Sequence, residues 1–191
     1  MAICPACGRG TLKPKRTSKP FLIVKEQVTD NEIKSNTVFV DTVQNRWDYP
    51  EHTVNYYLAK ELGMVGVQMN TLSLTNLYMH IPSKSKKTKE AKADAQACLD
   101  FSISEVIKEA KGKKIVLLMG AEVIRLFTGY PASSVYGLRC KSELLPNVPV
   151  IIPAPNSDKL MVMPIGEMRN ALKVFAEEIK IYNEYSKILG G

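Results

Sequence analysis

The chain has 191 residues, enough for one domain with a substantial core and no need of disulfide staples. Its hydrophobic content of 45% is ordinary for a globular protein, and no apolar run reaches the length of a membrane span. A net charge of +7 points toward a polyanionic partner, nucleic acid first among them.

The amino terminus opens with Cys4-Pro5-Ala6-Cys7-Gly8-Arg9-Gly10, a knuckle in which two sulfurs can grip one ion while the glycines let the backbone turn. The start lacks the basic and greasy stretches of a secretory leader, and the metal spacing of the cysteines suits a reducing compartment; the expected location is the cytoplasm. A closed structural site wants four ligands, and no second Cys-x-x-Cys exists. The remaining candidates are Cys98, Cys140, His52 and His80, so completing the site would tie the amino terminus to a distant part of the chain. The alternatives are an unmetallated pair or a disulfide.

A basic cluster follows at Lys13, Lys15, Arg16 and Lys19. Then Phe21-Leu22-Ile23-Val24 reads as a buried strand, and Val38-Phe39-Val40 as a further extended piece. Val54, Tyr57, Leu58, Glu61 and Leu62 fall at helical spacing, with Gly63 as the expected terminator. Thr71 to Tyr78 is rich in β-formers and reads as the next strand. A second basic run, Lys84, Lys86, Lys87, Lys89 and Lys92, holds a single acid, Glu90. Ala95, Leu99, Ile103, Val106 and Ala110 mark one face of a helix ending near Gly112. Lys114 to Met119 is the clearest strand, and it enters Gly120 and a helix from Ala121 to Phe127. Val148 to Ile152 is the last strand, and Ile165, Met168, Leu172, Phe175 and Ile179 predict a closing amphipathic helix.

Strands alternating with helices predict an α/β fold, a three-layer α/β/α arrangement around a central, mostly parallel four-stranded sheet. The whole chain reads as a single domain, with residues 1–20 forming a metal-binding knuckle and basic segment packed on it. Ligands of such sheets bind beyond the carboxyl ends of the strands, which selects Lys25 to Asp30, Asn76 to Pro82, Gly120-Ala121 and Pro153 to Lys159.

Taken in order, these segments resemble the iron–sulfur-containing bacterial, archaeal and phage branch of the uracil-DNA glycosylase superfamily. Cys4 and Cys7 match its opening Cys-x-x-Cys, and Glu26 is what remains of its Gly-Glu-x-Pro-Gly turn. Trp47, the one tryptophan, falls where the family stacks an aromatic on the extracted base. Thr75-Asn76-Leu77-Tyr78-Met79-His80-Ile81-Pro82 is similar to Thr-Asn-x-x-x-Cys-x-Pro, with Asn76 at the base-reading position and His80 at the third cysteine. Ala97-Cys98 matches the fourth ligand. The resemblance therefore implies a metal site of Cys4, Cys7, His80 and Cys98. Three thiolates and one imidazole suit tetrahedral zinc, while histidine also replaces cysteine at some iron–sulfur centres. The resemblance tips the expectation to a [4Fe-4S] cluster over zinc.

The departures bear on activity. The family's His-Pro-Ser segment stands here as Ala154-Pro155-Asn156-Ser157, without its histidine, and Lys25, Val28 and Thr29 replace small or rigid residues of the turn. Base excision needs a flipped base held by stacking and edge hydrogen bonds, followed by stabilisation of a cationic sugar and an anionic leaving base. The resemblance assigns Trp47, Asn76, Pro155 and Asn156 to the base and Glu26 to the sugar cation or an attacking water. The missing histidine would have helped the leaving anion, electrostatic help often worth roughly 3–4 kcal/mol. Lys84, Lys86, Lys87, Lys15 and Arg16 are expected to meet the DNA backbone. The expectation is a DNA-binding protein with weakened base excision, serving DNA repair or phage replication alongside proteins of those assemblies. An active glycosylase and a metal-stabilised protein-interaction subunit are the alternatives. Cys140 is expected to be a packed thiol.

Overall fold

The computed structural model describes residues 2–8, 10–26, 54–78, 89–155 and 165–189. Its centre is a sheet of β3 (Phe21–Lys25), β4 (Ser73–Asn76), β5 (Ile115–Met119) and β6 (Val150–Ala154), in the order β4-β3-β5-β6. All three pairings are parallel, with Leu22 opposite Ser73, Phe21 opposite Ile115 and Ile115 opposite Val150. The strands are apolar nearly throughout because both faces are covered, as all-parallel sheets require.

Alternation along the strands divides the core. Phe21, Ile23, Leu74, Leu117 and Ile152 pack with Tyr57, Leu58 and Leu62 of α1 (Val54–Met64) and Leu172, Phe175 and Ile179 of α4 (Ile165–Ile188). Leu22, Val24, Val116, Leu118 and Ile151 meet Val106 and Ala110 of α2 (Lys89–Ala110) and Val123, Ile124 and Phe127 of α3 (Ala121–Thr128). Two helices on each face of one sheet give the expected three layers. The backbone of Lys15 bonds that of Leu74 outside β4, and the Cys140 backbone bonds Ile151 outside β6. Both outer strands thus have a covered flank, which blocks pairing with another chain. Among the described residues, no helix is long and apolar enough to cross a membrane.

Several boundaries differ from the sequence expectation. Helix α1 runs through Gly63 and ends on Gly66, which takes a left-handed φ of 73°. The Val67 N–H donates to the Leu62 carbonyl at 2.9 Å and the Gly66 N–H to Gly63 at 3.1 Å, the paired bonds of a glycine helix stop. The stretch 71–78 is not one strand: Met69–Thr71 forms a 3-10 turn and β4 spans only Ser73–Asn76. The last strand is shifted to Val150–Ala154, and α4 runs to Ile188, beyond the apolar periodicity that located it. The expected extended piece at 38–40 lies outside the described residues.

Candidate metal centre and carboxyl-end site

Residues Ala2–Ile3 (β1) and Gly10–Thr11 (β2) form a small antiparallel hairpin, and its turn carries Cys4 and Cys7. The Gly8 N–H donates to the Cys4 carbonyl at 2.8 Å, closing the knuckle. Cys98 reaches it from α2, 94 residues along the chain, and its sulfur stands 3.6 Å from that of Cys4. The sulfurs of Cys4, Cys7 and Cys98 all lie within 4.8 Å of one another, a spacing that can hold a metal ion. Cys4 is buried, Cys98 partly buried and Cys7 exposed. Burial works to raise the Cys4 pKa, but the backbone amides of Ala6 and Cys7 and the neighbouring thiols outweigh it, so the value falls. Burial, with Cys7 and Cys4 beside it, pushes Cys98 up to about 12. Three sulfurs this close, supplied by a turn and a helix, form a soft donor set. The donor set therefore fits a thiolate-bound metal. His80, the expected fourth ligand, lies outside the described residues. Cys140 is buried in the sheet–helix core, as a packed thiol should be, and burial raises its pKa.

A second constellation lies at the carboxyl end of the sheet. The chain leaves β3 toward β4 and leaves β5 toward β6, so the crevice between β3 and β5 is the topological switch point. Glu26 follows β3 and Gly120 follows β5. The Glu26 carboxylate accepts the Glu122 N–H at 2.9 Å, in the first turn of α3. Helix N-termini favour negative charge, which explains why this carboxylate settles there. Gly120 makes the approach possible: it has φ 117° and ψ 153°, and a Cβ there would stand 2.6 Å from the Glu26 Cβ. The Glu122 side chain in turn accepts the Tyr78 hydroxyl at 2.7 Å. Burial first, then that bond and the charges of Glu122 and Glu26, drive the Tyr78 phenol above its ordinary pKa. Tyr136 is raised by burial, with a smaller contribution from the Glu26 charge.

Asn76 pairs in register with Lys25, and both are buried. They stand on the α1/α4 face, the side taken by Ile23 and Leu74, whereas Leu77 packs on the α2/α3 side. The Leu77 N–H bonds the Lys25 carbonyl at 2.7 Å and the Tyr78 N–H bonds Glu26 at 3.1 Å, so the ladder continues past β4 to the site. Pro155 is buried directly after β6, beside the Gly120 N–H bond to Ala154 at 3.2 Å.

The structure thus gathers Glu26, Asn76 and Pro155 at one end of the sheet, and Cys4, Cys7 and Cys98 in a separate cluster. Two cations expected at the DNA backbone have protein partners. Lys15 donates to the Asn70 carbonyl, and burial lowers its pKa. Arg16 pairs with Glu109, a carboxylate only 5% exposed, through Nε at 3.0 Å and Nη2 at 2.5 Å. Trp47, Asn156, Lys84, Lys86 and Lys87 lie outside the described residues. Sequence reasoning missed Tyr78, Glu122 and Tyr136 around Glu26, since no local spacing announces partners that parallel strands bring together.

No family model matches the chain, and no characterised protein proved similar to it.

Proposed function

We propose that this protein binds DNA through a nucleobase pocket at the carboxyl end of its sheet, on a glycosylase-like scaffold whose base-excision chemistry is weakened. The observation that carries this reading is the strand register. It pairs Asn76 with Lys25, the residue before Glu26, at the carboxyl end of the sheet, where the resemblance expects a base-reading amide and a carboxylate. An amide offers both donor and acceptor to a pyrimidine edge. The carboxylate is already engaged: its Oε2 holds the first turn of α3, next to the Glu122 carboxylate. A group serving as a helix anchor is poorly free to follow a developing sugar cation, which favours retention of a bound base over its release.

The sulfur spacing supports one tetrahedral ion, zinc, rather than the cluster. Thiolates on a single zinc at about 2.3 Å stand about 3.8 Å apart, near the 3.6 Å between Cys4 and Cys98. A cubane places each thiolate on a different iron and spreads the sulfurs wider. When bound, the ion adds folding free energy by pinning the knuckle to α2.

The test is a low-salt binding titration and a single-turnover excision assay on a uracil-containing oligonucleotide, with metal and sulfide analysis of the same preparation. The expected outcome is salt-sensitive binding, slow or absent uracil release, and about one zinc per chain with no labile sulfide. Rapid release that disappears in Glu26→Gln would overturn the weakened reading. No binding at low salt would overturn the DNA reading.

A further inference from the structure

The opposite, amino end of the sheet gathers cations from two distant segments. The Lys113 ammonium donates to the carbonyls of Lys19 at 2.8 Å and Thr17 at 3.2 Å, and to the Ser73 hydroxyl at 2.7 Å. The Lys114 N–H donates to the Pro20 carbonyl at 2.7 Å. These bonds clamp residues 16–20 onto the turn between α2 and β5. Arg16, Lys19, Lys108, Lys111, Lys113 and Lys114 therefore crowd the amino ends of β3 and β5. Two carboxylates stand among them: Glu109 takes Arg16, and Glu105 takes Lys108 at 2.5 Å. Among the described residues, six cations against two anions leave an excess of four positive charges.

Local needs account for part of this. Lys113 is a structural clamp, and Lys108 and Lys111 complement the negative end of the α2 dipole. Lys19 and Lys114 are exposed and answer neither need. Concentrated charge of one sign, held by a rigid clamp, raises the local concentration of a polyanion.

We infer that this amino-end cluster is a second DNA-backbone contact, separate from the base pocket and engaged by phosphates several nucleotides away from the held base. It rests on the DNA-binding reading above. Five-residue strands rising about 3.3 Å per residue separate the two ends of the sheet by roughly 15 Å, so one nucleotide cannot reach both.

The experiment compares the full-length protein with its Lys19→Gln/Lys111→Gln/Lys114→Gln variant, using fluorescein-labelled single strands of about 2 and about 20 nucleotides over a range of potassium chloride. Each lost phosphate contact lowers the slope of log affinity against log salt by about 0.7 on a single strand. The triple variant should therefore lose about two units of slope on the long strand and nothing on the short one, while its unfolding midpoint falls only by the small amount that losing Lys111 from the helix terminus costs. An unaltered slope on the long strand would overturn the inference while leaving the pocket reading intact. An equal loss on both lengths would also overturn it, by placing these lysines at the pocket. If the wild type bound neither strand at low salt, the DNA reading itself would fall, and this inference with it.

Discussion

Replacing Gly120 with alanine should cost more than any surface change of similar size, and the structure says why. The backbone there, at φ 117° and ψ 153°, lies in a region that only glycine populates readily, and holding alanine in it costs about 1–3 kcal/mol. The new methyl would also stand 2.6 Å from the Glu26 Cβ and nearer still to its Oε2. Glu26 must then withdraw from the Glu122 N–H, forfeiting a hydrogen bond to a charged acceptor of about 1.5–3 kcal/mol. The sum is about 2.5–6 kcal/mol, which for a chain this long lowers the melting midpoint by about 5–20 °C. Urea titration followed by circular dichroism measures it, with the denaturant slope checked for a shared unfolded state. Gly63→Ala is the matched control. Gly63 lies inside α1 with nothing within 4 Å of a built Cβ, so that change should stabilise by up to about 1 kcal/mol. A Gly120→Ala loss below about 1 kcal/mol would refute the close approach of Glu26 to α3.

Arg16→Ala strands the nearly buried Glu109 carboxylate and should cost about 1–3 kcal/mol, less than a fully buried pair because Arg16 is 72% exposed; Glu109→Gln in the same background should recover part of that loss in urea titrations. Tyr78→Phe removes the bond to Glu122 and should cost about 1–2 kcal/mol near neutral pH. The folded Tyr78 phenol titrates above its ordinary value of 10.0, so its contribution is complete below that pH and shrinks as pH rises past it. The stability difference between wild type and Tyr78→Phe should therefore hold up to about pH 10 and narrow as the pH rises beyond it, and a constant difference above pH 10 would contradict the assignment. Cys4→Ala and Cys98→Ala should each abolish stoichiometric metal binding and lower the melting midpoint far more than Cys140→Ala, as read by elemental analysis and calorimetry.

The strands of the sheet were legible because a parallel sheet buried on both sides demands unbroken apolar runs, and Phe21–Val24 and Ile115–Met119 are such runs. Boundaries were less so. Gly63 looked like the end of α1, yet the stop depends on a left-handed residue followed by an apolar one, and Gly66 with Val67 supplies both. The final turns of α4 hold Tyr185 and Ile188, both well exposed, so no core-facing stripe marked its extent. The need for further ligands beside the knuckle was legible through chemistry, since two thiols at Cys-x-x-Cys spacing do not close a site, but only the resemblance picked Cys98 from Cys98, Cys140, His52 and His80. The partners of Glu26 were not, because Glu122 lies 96 residues away and reaches it through its backbone rather than its side chain. Arg16 likewise read as a free cation until Glu109, 93 residues distant, was seen beneath it.

The most direct test of a metal-stabilised fold that holds a nucleobase is the affinity for a uracil-containing oligonucleotide at low salt, measured on metal-loaded protein before and after chelation. The account predicts binding that weakens at least tenfold on chelation and returns when zinc is restored. Failure of the loaded protein to bind, or affinity indifferent to the chelator, would contradict it.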